Sequence, residues 1–214
     1  SHHSSHAPCS MFLLPDMGVS CVMNSARFFF PSELKEAVPG WSPARIGAFF
    51  AIAAVVKALV APYMAGRAEE AAGHLAGTVR ACFLTSSAVL VASGASMAFE
   101  RSINATPFAS MLLLITLGAD IATQAAIPLF WAMHHAAQPT SDAACSIALV
   151  NAIGNLGGFI GPSLLGAMHD SRLISAALCS DAGGQHRATR CFGQWGPGTA
   201  AIGLILMSTT AYRL

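Results

Sequence analysis

The chain has 214 residues, of which 54% are apolar and only 10% charged. An ordinary soluble domain carries about 25% charged residues, so this is the composition of a membrane protein. The net charge of +1 comes from scattered basic residues, which leaves no footprint for nucleic acid. The six cysteines are spread singly without a CxxC, against a zinc or thioredoxin-type centre.

Residues 1–10, SHHSSHAPCS, read as a disordered, His-containing tail. His2, His3, His6 and Cys9 could in principle hold a metal, but a polar tail or expression remnant is the simpler reading. The first residue is Ser, and no charged, then apolar, then small-residue signal pattern follows. The expectation is a fragment or an incomplete gene model.

Six hydrophobic segments follow, at about 11–30, 46–65, 81–99, 108–133, 143–168 and 198–212. They predict an all-α, six-helix membrane bundle over 11–214, since about 20 apolar residues span a bilayer. The first segment is interrupted by Pro15, Asp16, Asn24 and Arg27. Asp16 and Arg27 are eleven apart and so share a helix face, which suits a polar cavity and not lipid. Residues 31–45 read as a polar loop. The second segment is apolar except for Lys57 at its middle, and the fourth carries Asp120 near its centre. Either charge alone would cost about 2.5 to 3.5 kcal/mol or more in the membrane. Mutual neutralisation is one expectation, and a proton or substrate role for Asp120 another. Arg27 could attract a carboxylate or snorkel to the interface. The third and sixth segments carry no ionisable residue, as outer helices would.

The fifth segment, CSIALVNAIGNLGGFIGPSLLGAMHD from Cys145 to Asp170, has two stripes. Asn151, Asn155, Gly158 and Pro162 fall within about 60° on a helical wheel, beside a stripe of Gly154, Gly157 and Gly161. The pairs Gly154/Gly158 and Gly157/Gly161 are small-xxx-small motifs that admit a neighbouring backbone. The amides require protein or water, because lipid cannot satisfy them.

The run IPLFWAMHH followed by SIALVNAIGNLGGFIGPSLLGAMHD resembles the penultimate two helices of the anion:cation symporter family of the major facilitator superfamily. These are carriers of tartrate, phthalate and galactonate type. Phe130, Trp131 and the stretch from Asn151 to Pro162 match the family pattern in order and spacing. The AGR at Ala65–Arg67 is similar to a weak copy of the superfamily's cytoplasmic loop, and the FFFP at Phe28–Pro31 to the end of the seventh helix. The resemblance covers about 11–214 and implies the C-terminal six-helix half, with an N-terminal half of six more helices as partner. It implies a small organic anion as substrate, H⁺ or Na⁺ as coupling ion, no cofactor and no chemistry on the substrate. It also implies Trp131 and Asn151, with Phe130 beside them, at the central substrate site, and places the coupling carboxylates and the anion-binding arginine mostly in the N-terminal half. Lys57, Asp120 and the long loop at 171–197 depart from the pattern.

Several readings stay open on sequence alone. Trp131 could be an interfacial anchor, and Asn155 interhelical glue. Cys179 and Cys191 could pair if their loop is extracellular, though free thiols are the simpler reading. Asn104-Ala105-Thr106 is a glycosylation sequon weakened by Pro107. Basic residues count against the orientation that the family implies. Multi-pass insertion in a plasma or inner membrane is expected in either orientation. The rival function is a truncated, non-transporting membrane protein that packs on other helices through its glycine stripe.

Overall fold

The computed structural model describes residues 10–38, 40–70, 74–99, 106–138, 143–170 and 195–211. The tail metal ligands, Cys179 and Cys191, the sequon at Asn104 and most of the long loop at 171–197 lie outside the described residues. The architecture is all-helical: α1 Ser10–Ala37, α2 Pro43–Glu70, α3 Leu75–Phe99, α4 Thr106–Ala125, α5 Ile127–Ala137, α6 Ala143–Asp170 and α7 Trp195–Ala211.

Among the described residues four stretches are long and apolar enough to cross a membrane: Pro43–Gly66, Leu75–Ser96, Leu114–Ala137 and Ala143–Asp170. The chain is therefore a multi-pass membrane protein. The third of these stretches joins α4 and α5 through a break at Ala126, whose N–H is shared between the carbonyls of Ala122 and Thr123 at 3.2 Å each. Pro128 explains the break, because it has no N–H for the Gln124 carbonyl and its ring crowds that oxygen.

α1 is long enough to cross but too polar to meet the same criterion, and its position explains why. It is the central helix, packed on α6, α7, α4 and α2, and it buries Phe12, Asp16, Val19, Val22, Ser25, Ala26, Phe30 and Leu34. Covered by protein over much of its surface, it need not be apolar all round. It also runs further than the sequence implies. The polar loop expected from position 31 is helical to Ala37. Pro31 gives up only the bond to the Arg27 carbonyl, and burial of Leu34 holds the next turn in place. The chain then turns through Val38–Trp41. It re-enters helix at Ser42, whose Oγ accepts from the Arg45 N–H at 3.4 Å, with Pro43 opening α2.

α2 is peripheral by contrast. Ile52, Val55, Leu59 and Tyr63 are exposed along it, which is the surface a lipid-facing helix presents. On the other side of the bundle α3 pairs with α7, where a Cβ on Gly203 would lie 2.9 Å from the Leu90 side chain and the Val91 backbone.

The glycines of α6 set its direction. Gly154, Gly157, Gly161 and Gly166 face Asp16, Met17, Cys21 and Phe29 in rising order, so α1 and α6 run parallel. α7 opposes α1: Gly18 meets Leu206 and Thr209, whereas a small void further along α1 is lined by Val22, Phe30, Thr199 and Ile202. Beyond these pairings an aromatic core joins α1, α3 and α5 through Phe12, Phe83 and Phe130.

Candidate functional site

α1, α2 and α4 splay around a groove of about 780 Å³. Arg27 and Lys35 enter it from α1, Lys57 from α2 and Gln124 from α4, between apolar walls that include Pro31 and Phe50. Lys57 stands at the middle of α2 and ion-pairs with Asp120 of α4. Asp120 is 1% exposed and its other neighbour is Gln124, whose Nε2 donates to the two carboxylate oxygens at 3.0 and 3.2 Å. Residues 120 and 124 meet because they lie one turn apart on the same helix face. The α4–α5 break follows directly, so an interrupted span borders the pair.

The Lys57 charge is thus compensated. Arg27 and Lys35 have no ion pair among the described residues, and both are exposed. They make the groove electropositive. The wheel face shared by Asp16 and Arg27 does not keep them in one environment: Asp16 is buried, whereas Arg27 opens to the groove. The cause is the oblique course of α6, whose contacts on α1 move from Asp16 and Met17 round to Cys21, Ser25 and Phe29 before Arg27 could be covered.

The α1–α6 seam is the closest approach in this part of the fold. A Cβ on Gly161 would stand 2.5 Å from the Cys21 carbonyl oxygen and 2.6 Å from Ser25 Oγ. At Gly158 it would stand 2.6 Å from Asn24 Nδ2, which donates to the Ser20 carbonyl at 2.9 Å. At Gly157 it would strike the Met17 carbonyl, and at Gly154 the Asp16 carboxylate. The glycine stripe is therefore used inside the chain. It is not left over as a surface for another protein.

The rest of α6 is divided. Asn151 and Asn155 are exposed on one flank, next to half-buried Gly158 and Pro162. Leu149, Leu156, Phe159 and Ile160 are exposed on the other. The two flanks suit different surroundings, amide-satisfying and lipid.

Phe130 and Trp131 are next to each other in α5 but differ in setting. Phe130 is 1% exposed and packs edge-on against Phe12 at 5.7 Å between ring centroids, so it belongs to the core. Trp131 is half-buried, 5.5 Å from the ring centroids of both Phe130 and His134. His134 is buried against Phe12 and its Nε2 lies 3.1 Å from Ser146 Oγ, which ties α5 to α6. Neither Trp131 nor Asn151 lines the cationic groove.

Sequence reasoning did not single out Gln124 or Lys35 as site residues. The spacing of Asp120, Gln124 and Pro128 was a usable signal, since it places a polar pair on one face just ahead of a helix break. Lys35 carried no such signal, because the extension of α1 past Pro31 brings it to the groove. Among the described residues no group of three or more His, Cys, Asp or Glu side chains could hold a metal.

Two curated proteins of Agrobacterium vitis, each named "Putative tartrate transporter", are similar to this chain. One is 27% identical over 154 residues, covering 72% of this chain and 33% of the relative. The other is 31% identical over 126 residues, covering 59% of this chain and 25% of the relative. The chain thus spans no more than about a third of the length of the curated relatives it matches. No family model and no solved structure matches it. What the comparisons establish is a multi-pass membrane protein with distant, partial similarity to proteins named as transporters.

Proposed function

We propose that the chain is one six-span half of a secondary active transporter that moves a small organic carboxylate by alternating access, coupled to H⁺ or Na⁺. The observation that carries this reading is the groove between α1 and α2, where Arg27 and Lys35 face open space with no acidic partner among the described residues. Charged side chains in a membrane bundle mark a substrate or ion pathway. Two cations on one groove wall suit one or two carboxylates, the arginine offering a bidentate fork and the lysine a point charge.

Three further observations support it. The relatives' printed name specifies tartrate, a dicarboxylate. The parallel course of α1 and α6 and the opposed course of α7 are those of first, fifth and sixth passes through a membrane. The exposed amide flank of α6 calls for a wet or protein neighbour, which a first half would supply. In this reading Asn151 and Trp131 contact the substrate outside the groove, where the first half closes over it, and Phe130 packs against Trp131.

The test is uptake of labelled carboxylates by the full-length protein in proteoliposomes. Wild type accumulates at least one carboxylate. The variant Arg27→Gln raises its KM about tenfold or more, the loss expected on removing a charged hydrogen bond. Wild-type vesicles that accumulate none of the carboxylates overturn the proposal.

A further inference from the structure

Three carboxylates are buried among the described residues, Asp16, Glu33 and Asp120, and Asp120 is already neutralised by Lys57. Asp16 is not. It is 8% exposed, lies on α1 two residues before Gly18, and forms no hydrogen bond or ion pair among the described residues. Its carboxyl group fills the space a side chain at position 154 would need, so the glycine at that point of α6 makes room for an acid.

We infer that Asp16 is the proton-carrying carboxylate of the transport cycle, binding H⁺ on one side of the membrane and releasing it on the other. This rests on the transport reading above and adds the identity of the coupling group. An ionised carboxylate enclosed by a glycine seam without a cation would be an uncompensated buried charge. While α1 and α6 are closed over it, the group is therefore carried as –COOH. When the seam opens to water on either side, the O–H bond breaks, the proton passes to water and the carboxylate is hydrated. No other reactant is needed.

The surroundings fit one exchangeable proton. α6 presents Val150 and Gly154 at this level, with no charge. α7 contributes the hydroxyl residue Thr209 beside Gly18. The titratable group nearby is His134 of α5, which stacks edge-on with Phe12 at 4.6 Å, one helical turn from Asp16. His135, the next residue, is exposed, and its ring centroid is 6.5 Å from that of His134. Arg27 lies eleven residues along the same helix, about 16 Å at 1.5 Å per residue. One helix therefore carries both the groove-facing arginine and the proton-binding acid, so a tilt that opens the seam at Asp16 also moves Arg27.

The experiment compares wild type and Asp16→Asn of the full-length protein in proteoliposomes by two assays. One is accumulation driven by an imposed pH gradient. The other is exchange of labelled for unlabelled carboxylate at equal pH, which needs no net proton movement. The expected result is at least a tenfold loss of driven accumulation with exchange kept within about twofold of wild type. Unchanged driven accumulation overturns the assignment while leaving the transport reading in place. Equal loss of both activities also overturns it, since Asp16 is then structural. Absence of exchange in wild type overturns the transport reading and this inference with it. Independently of any variant, dicyclohexylcarbodiimide should label Asp16 of wild type, with labelling read by mass spectrometry falling as pH rises. An Asp16 that is unlabelled throughout overturns the assignment.

Discussion

Lys57 and Asp120 are unequal partners, and that inequality fixes what each substitution does. Asp120 is 1% exposed, whereas Lys57 keeps 22% exposure and a flexible stem. Removing the lysine leaves a buried carboxylate with only Gln124 for company, at a cost of about 3 to 5 kcal/mol. Removing the acid costs less, because the ammonium can reach towards water along the groove. Thermal unfolding in detergent should therefore rank Lys57→Met as more damaging than Asp120→Asn. The double variant Lys57→Met/Asp120→Leu should recover most of the loss, because an apolar pair replaces an ion pair at little net cost. Arg27 belongs to another category. It is exposed with no ion partner among the described residues, so Arg27→Gln should leave unfolding unchanged while weakening carboxylate uptake.

At the scale of elements, the seam between α1 and α6 is held by backbone approach. Lipid gives helices no hydrophobic reason to associate, so close contact of small residues must supply the attraction. Gly161→Ala would press a methyl group to 2.5 Å from the Cys21 carbonyl and separate the helices, with an overpacking cost of about 1 to 3 kcal/mol. Gly166→Ala, five residues on, meets only the Phe29 ring edge at 3.4 Å. Melting curves should show a lowered midpoint for the first and none for the second. The stripe itself was legible from spacing, and so was its purpose of admitting a neighbour. Its partner was not legible, because a small-xxx-small motif is equally suited to α1 or to a foreign helix. The course of α1 was misjudged at Pro31 for a related reason. Proline and charge argue locally for a loop, but burial of Leu34 against the core outweighs them.

Seen as a whole, the bundle has two kinds of uncovered surface. The flank of α6 with Asn151 and Asn155 is polar, and the flank with Leu156, Phe159 and Ile160 is apolar. If the first borders a water-filled path and the second lipid, single cysteines will tell them apart in a background without other reactive thiols. Asn155→Cys should react with a membrane-impermeant maleimide in intact vesicles, and Ile160→Cys should not. Equal reactivity at the two positions would assign both flanks to one environment.

The residue sequence by itself determined the solvent of this protein, its helical class and the places where helices could come into backbone contact. These follow from composition and from local periodicity, which depend on neighbours along the chain. Tertiary structure alone decided which side of each helix is covered. α6 crosses α1 obliquely, so two positions on one wheel face, Asp16 and Arg27, part company, one sealed in a seam and the other open to a groove. A helical wheel has no neighbours, and the cationic groove exists only because α1, α2 and α4 come together around it.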